Sequence, residues 1–144
     1  MHILAPIISG KELADEYVEA ITKGADKVTL LQIVDREFMK NTSAAMGEVM
    51  QFSTIMSEVK KKVSAKRKPC QEITEWGATI KKILAITFIQ KADKVVFVEQ
   101  DNEFFREIIR ELEKEMVNVE TVHVISEEEK KEEDRANKPK RRFI

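Results

Sequence analysis

Apolar positions along the chain switch repeatedly between an unbroken run and a helical period, and each switch marks a strand handing over to a helix. Ile3-Leu4-Ala5-Pro6-Ile7-Ile8 is apolar throughout, the pattern of a parallel strand covered on both faces. Ser9 and Glu12 follow at capping-box spacing, so a helix is expected to begin at once. Ala14, Tyr17, Val18 and Ile21 would form its buried stripe, and Gly24 its left-handed C-terminal cap. Val28 to Val34 reads as a second strand. Met46, Val49, Met50, Met56, Val59 and Val63 then predict a long helix starting near residues 41–43 and ended by Pro69.

Cys70 to Trp76 alternates polar and apolar residues and reads as a short strand near an edge. Thr79, Ile80, Ile83, Leu84, Thr87 and Phe88 define a third helix. Because Ala85, Ile86 and Ile89 occupy its remaining positions, this helix is expected to be buried nearly all round. Val95 to Val98 is a fourth strand, and Asp101 or Asn102 can cap a fourth helix with the stripe Phe105, Ile108, Ile109, Leu112 and Met116. Val119 to Ile125 predicts a last strand. Lys23-Gly24-Ala25-Asp26-Lys27-Val28 and Lys91-Ala92-Asp93-Lys94-Val95 read as one helix-to-strand joint used twice. Strands alternating with helices through joints this short imply one parallel sheet with helices on both faces.

Composition narrows the class. At 144 residues the chain suits one domain. Residues 1–125 carry the α/β pattern, whereas 126–144 turn into acidic and then basic runs with too few apolar residues to order themselves, which predicts a flexible tail. Charged residues make up 35% of the chain, above the roughly 25% average, yet the net charge is only -1. Any nucleic-acid contact would therefore need a local patch. Cys70 is the lone cysteine, in keeping with a reducing cytoplasm. No apolar run reaches the ~20 residues that span a bilayer.

The chemistry on offer is sparse. Ser9-Gly10-Lys11 could hold an anion at a helix start, although the Ser9/Glu12 capping pair already accounts for it. Lys60-Lys61-Lys62 with Lys66-Arg67-Lys68 is a basic stretch at a helix end, favourable to the helix dipole and, as a second reading, to phosphates. Lys138-Pro139-Lys140-Arg141-Arg142 reads as a solvated tail end, or else as a dock for an acidic protein partner. His2 and His123 lack further ligands at metal spacing, and Cys70 has no base beside it in sequence. No catalytic constellation, metal or cofactor is expected.

Several segments resemble the universal stress protein family. Ile3-Leu4-Ala5-Pro6 is similar to its opening strand, and Ala25-Asp26-Lys27-Val28 through Val34-Asp35 to its second. Trp76-Gly77-Ala78, Ala92-Asp93-Lys94-Val95-Val96-Phe97 and Val122-His123-Val124-Ile125 resemble its later strand ends. The resemblance implies strand order 3-2-1-4-5 and a homodimer paired through the last strand at Val119, Val122, Val124 and Ile125. Nucleotide-binding members carry an Asp after the first strand, Gly-x-x-Gly after the fourth, and a Gly-Ser beyond. This chain has Ile8, Val98 and Asp101 at the first three of those positions, and no Gly-Ser follows. Adenine-side apolar contacts are retained at Pro6, Ile7 and Ile33.

The expectation is a cytoplasmic, non-enzymatic regulatory or interaction protein that does not bind ATP. The alternative is a small-ligand or divergent nucleotide-binding module using a cleft at Pro6, Ile7, Ile33 and Val98. A second alternative is nucleic-acid association through the Lys60–Lys68 stretch.

Overall fold

The computed structural model describes residues 1–35 and 42–125; the expected tail, 126–144, lies outside them. The elements run β1 (His2–Pro6), α1 (Asp15–Thr22), β2 (Lys27–Val34), α2 (Thr42–Ala65), β3 (Cys70–Trp76), α3 (Thr79–Ile89), β4 (Lys94–Val98), α4 (Glu103–Lys114) and β5 (Val119–Val122). All neighbouring strands pair in parallel, in the order β3-β2-β1-β4-β5. The five-stranded parallel sheet with helices on both faces is thus as the pattern implied.

Burial explains the unbroken apolar runs. Ile3 and Ala5 point into a core under α1 and α2, with Val28, Leu30, Val96 and Val98. Leu4 points the other way, into a core under α3 and α4 with Leu31, Val95 and Phe97. Both faces of the central strands are therefore closed to water. Each such Ile or Leu contributes about 1.5–3 kcal/mol relative to an exposed one.

Polar groups inside are matched. The Tyr17 hydroxyl donates to Val96 O at 2.6 Å and pins α1 to β4. Gln32, 1% exposed, donates to Val49 O at 3.1 Å and accepts from Ser53 Oγ at 2.9 Å, tying β2 to α2.

Several element ends differ from the sequence reading. The first helix starts at Asp15, and its N-cap, Ala14, offers no side-chain bond; Ser9 and Glu12 do pair, but within the turn that precedes the helix. The long helix stops at Ala65, before Pro69, because Arg67 turns into the left-handed region at φ 60. Arg67 N–H then donates to Ser64 O at 2.9 Å and Lys68 N–H to Val63 O at 3.4 Å, a Schellman closure made without glycine. Lys91 and Met116 close α3 and α4 in the same way, so Met116 is 93% exposed rather than part of the α4 stripe.

Asn102 is the cap of α4, accepting from Phe105 N–H at 2.7 Å. The last strand ends at Val122, where it makes its final register pair with Val98 of β4, rather than at Ile125. The third helix is not buried all round: Phe88 and Ile89 are 58% and 69% exposed. Only Thr79, Ile83, Ile86 and Thr87 are fully covered, since the sheet and α4 reach one side of it alone.

One measurement follows from these left-handed closures. A non-glycine residue in the left-handed region costs roughly 1–2 kcal/mol, part of which glycine gives back as unfolded-state entropy. Met116→Gly is expected to raise unfolding free energy by about 0.5–1 kcal/mol in urea titration.

At the opposite end of β1, His2 Nδ1–H donates to Gln90 O at 3.0 Å, so its Nε2 accepts from the Thr29 hydroxyl at 2.7 Å. Gln71 Nε2 in turn donates to Thr29 Oγ1 at 2.9 Å. Burial lowers the His2 pKa, with the nearby Lys27 and terminal amine adding to the effect against Gln90 and Asp93. The folded state therefore holds fewer protons than the unfolded one as pH falls through about 6.5, and stability falls with it. Between about pH 7.5 and 5, the wild type should lose more melting temperature than His2→Gln; parallel curves would contradict this assignment.

Candidate functional site

In this sheet, β1 leaves towards α1 on one face, while its neighbour β4 leaves towards α4 on the other. The chain thus parts at the C-terminal ends of these strands, the place where open parallel sheets form a crevice. Three segments meet there: the turn from Ser9 to Glu12, the turn from Glu99 to Asn102, and the end of β5. They enclose a cleft of ≈ 910 Å³ whose polar wall includes Lys11, Glu99, Asp101, Arg106, Arg110 and His123. Phe105, Ile109 and Val124 form its apolar part.

The first turn is filled by the chain itself. Gly10 takes φ +85, a conformation that favours glycine, and the turn's N–H groups converge on one point. That point holds the Glu12 carboxylate, which is 0% exposed. It accepts from Ser9 N–H at 3.0 Å, from Gly10 N–H at 2.9 Å and from the Ser9 hydroxyl. Lys11 N–H goes to Ser9 Oγ at 3.0 Å. Burial pushes the Glu12 pKa up, against the pull of its bonds from Ser9 and Gly10. Burial, with the Glu12 charge adding to it, also pushes the Tyr17 phenol well above its usual range.

The second turn is tied down at its two ends. Glu99 N–H donates to Val122 O at 2.8 Å, and Phe105 N–H to Asn102 Oδ1 at 2.7 Å. Around them the charges are mixed. Arg106 is held by Asp101 at 3.0 Å and Glu103 at 2.8 Å, and His123 Nδ1 lies 3.1 Å from Glu99. Lys11 and Arg110 enter no ion pair among the described residues, and they are the cations of the wall that remain available to a ligand.

The four apolar residues expected at a cleft do not line this one. Ile7 and Val98 are sealed in the α1/α2 core, Pro6 is buried, and Ile33 packs from the α3/α4 side. Of the edge residues, Val119 packs against the α3/α4 core, while Val122 and Val124 pack against the other. Ile125 is half-buried beyond the strand.

The basic helix end is engaged internally. Lys60 pairs with Glu72, Lys61 with Glu58, Lys62 with Asp15 and Lys66 with Glu19. Cys70 is half-buried and its pKa is pushed up to about 11, which keeps it a thiol. Among the described residues no three His, Cys, Asp or Glu side chains gather into a metal site, and no helix is long and apolar enough to cross a membrane. Arg106 and Arg110 were not singled out in the sequence, although their i, i+4 spacing opposite the buried α4 stripe is a readable signal.

Removing the Glu12 carboxylate would leave the N–H groups of Ser9 and Gly10 without their acceptor. Glu12→Ala is expected to lower unfolding free energy by about 2–3 kcal/mol at neutral pH in urea titration, whereas a surface control, Glu113→Ala, should change it by no more than about 0.5 kcal/mol.

No family model matches the chain, and no curated protein matches it in sequence. Solved structures do match. Hypothetical protein MJ0577 superposes with TM-score 0.64 at 15% identity, over 87% of this chain and 96% of that one. Hypothetical protein PH0823 gives 0.59 at 20% identity, over 88% and 97%. A universal stress protein in complex with cAMP gives 0.53 at 13% identity, over 85% and 96%. Sequence order, sheet topology and these superpositions agree: the chain is built on the universal stress protein fold.

Proposed function

We propose that the protein is a universal-stress-protein-like regulatory or interaction protein, cytoplasmic and non-enzymatic, that does not bind ATP in the crevice between β1 and β4. One observation carries the reading. The main-chain N–H groups of Ser9 and Gly10, which in such a turn would face a phosphate, are bonded to the buried carboxylate of Glu12. A triphosphate would have to displace that carboxylate and then lie beside Glu99 and Asp101. Like charges ~4 Å apart repel by about 1 kcal/mol in water and by more in a sheltered cleft. Cys70 stands at the other end of the sheet, opposite Val28, and its thiol pKa, pushed up to about 11, keeps it protonated. Homodimerisation through the edge of β5 that no strand pairs among the described residues, with Val119, Val122, Val124 and Ile125 alongside, belongs to the same proposal, because an unpaired strand edge invites a second strand.

A second reading, a small-ligand module, draws on Lys11 and Arg110 in the cleft wall and on the neighbouring fold found in complex with cAMP. Its ligand would be a small anion held by side chains rather than by main-chain amides. Nucleic-acid association through Lys60–Lys68 has less support, since Lys60, Lys61, Lys62 and Lys66 already face carboxylates.

Thermal unfolding with millimolar ATP, AMP and cAMP separates the readings. Ligand at ~100 times its Kd adds about 2.7 kcal/mol to the folded state. No shift is expected with ATP; a rise of several degrees would overturn the proposal. A rise with cAMP or AMP alone, lost in Arg110→Ala, would favour the second reading.

A further inference from the structure

The strand β5 delivers the chain to the cleft. Thr121, His123 and Val124 line the wall there, and Ile125 follows, half-buried. The next residues in sequence are Ser126-Glu127-Glu128-Glu129, and residues 126–134 carry six acids against two lysines. At no more than about 3.3–3.6 Å per residue, Glu127 to Glu129 can stand no farther than roughly 7–14 Å from Ile125. That reach takes in the cleft. It leaves out cations at the other end of the sheet such as Lys27, which opens β2, because a strand of that length runs about 26 Å.

We propose that Glu127–Glu129 fold back over the cleft as an internal cover, with their carboxylates paired to Lys11 and Arg110. These two cations come from elements on opposite faces of the sheet, Lys11 from the turn that leads into α1 and Arg110 from α4. Both are exposed, and neither enters an ion pair among the described residues. A segment that pairs with both therefore crosses the mouth of the cleft. The acids of the wall have partners of their own: Asp101 is held by Arg106 at 3.0 Å, and Glu99 faces His123 Nδ1 at 3.1 Å. Arg110 presents a planar fork and Lys11 a point charge, and each is satisfied by one carboxylate. Exposed pairs are individually weak, but a short tether holds these acids at an effective concentration in the millimolar range. The cover needs no bound ligand and so does not rest on either functional reading. A free anion would first have to displace it.

Nuclear magnetic resonance of the isotope-labelled full-length chain, with no ligand added, tests the contact. The triple variant Glu127→Gln, Glu128→Gln, Glu129→Gln removes the charges and leaves every residue of the sheet and its helices unchanged. It should shift the Lys11 amide and the Arg110 side-chain Nε–H. Raising salt from about 0.02 to about 0.5 M should move the same two signals in the wild type and move them less in the variant. A carbodiimide, which condenses a carboxylate with an amine it touches, should join Lys11 to a peptide holding Glu127–Glu129 within one chain. Lys11→Arg should lose that product and keep the Arg110 shift, because it retains the charge without the amine. Lys11 and Arg110 signals that the triple variant leaves in place overturn the proposal. A cross-link found only between two chains overturns it as well, since it puts the segment of a second copy in the cleft.

Discussion

A carboxylate shut away from water governs the crevice. Glu12 gathers two backbone N–H groups and a hydroxyl at the turn leaving β1, and its burial fixes the direction in which those donors point. The arrangement resembles what a bound anion would create, except that the anion is covalently part of the chain. A tethered group loses far less entropy on settling there than a free ligand does, so an incoming phosphate competes against an occupant with a high local concentration. Desolvation works against Glu12, raising its pKa, and the three donors work for it. The position of the carboxylate inside the turn, and of the Tyr17 ring behind it, shows how closely the start of α1 is fitted around this one residue.

The two ends of the sheet are closed by different means. Where β1 begins, His2, Thr29, Gln71 and Gln90 form a relay of neutral hydrogen bonds that requires an uncharged imidazole. Where β1 ends, ionised groups do the work, and the wall of the cleft alternates in sign. Acid therefore acts on the two ends in opposite senses. The lowered pKa of His2 removes stability as pH falls, while the raised pKa of Glu12 adds stability as pH falls towards its unfolded value.

Strand and helix identity were legible because burial imposes period on sequence. Ile3 to Ala5 is apolar on successive residues since α1 and α2 cover one face of the sheet while α3 and α4 cover the other. Boundaries were less legible. Ser9 and Glu12 have capping-box spacing and do bond, yet a capping box and a closed turn share that spacing, and only the backbone at Gly10 distinguishes them. Pro69 drew attention as a helix stop, whereas the chain had already turned at Arg67 through a conformation that sequence seldom announces for an arginine. The four apolar residues expected at a cleft lie away from the one described for a related reason. Pro6, Ile7, Ile33 and Val98 sit near strand ends, but they are buried or packed against the two cores, leaving the wall to residues of the two turns, α4 and the end of β5.

Charge and apolar surface are treated differently across the molecule. The lysines ending α2 look like a patch in sequence, yet Lys62 reaches Leu13 O at 2.7 Å and Lys66 reaches Glu19 at 2.6 Å, so two of them strap α2 to α1 and the turn before it. Exposed pairs of this kind contribute only about 0–1 kcal/mol each, and their effect is to fix the relative position of two helices more than to stabilise them. Apolar surface on α3 has no such internal use. Truncating Phe88 and Ile89 to polar residues would cost the monomer little burial, so their apolar character answers to no requirement within the described fold. Among the described residues, then, the cations ending α2 are drawn into contacts with α1, β3 and the turn before α1, while Phe88 and Ile89 of α3 stay largely exposed.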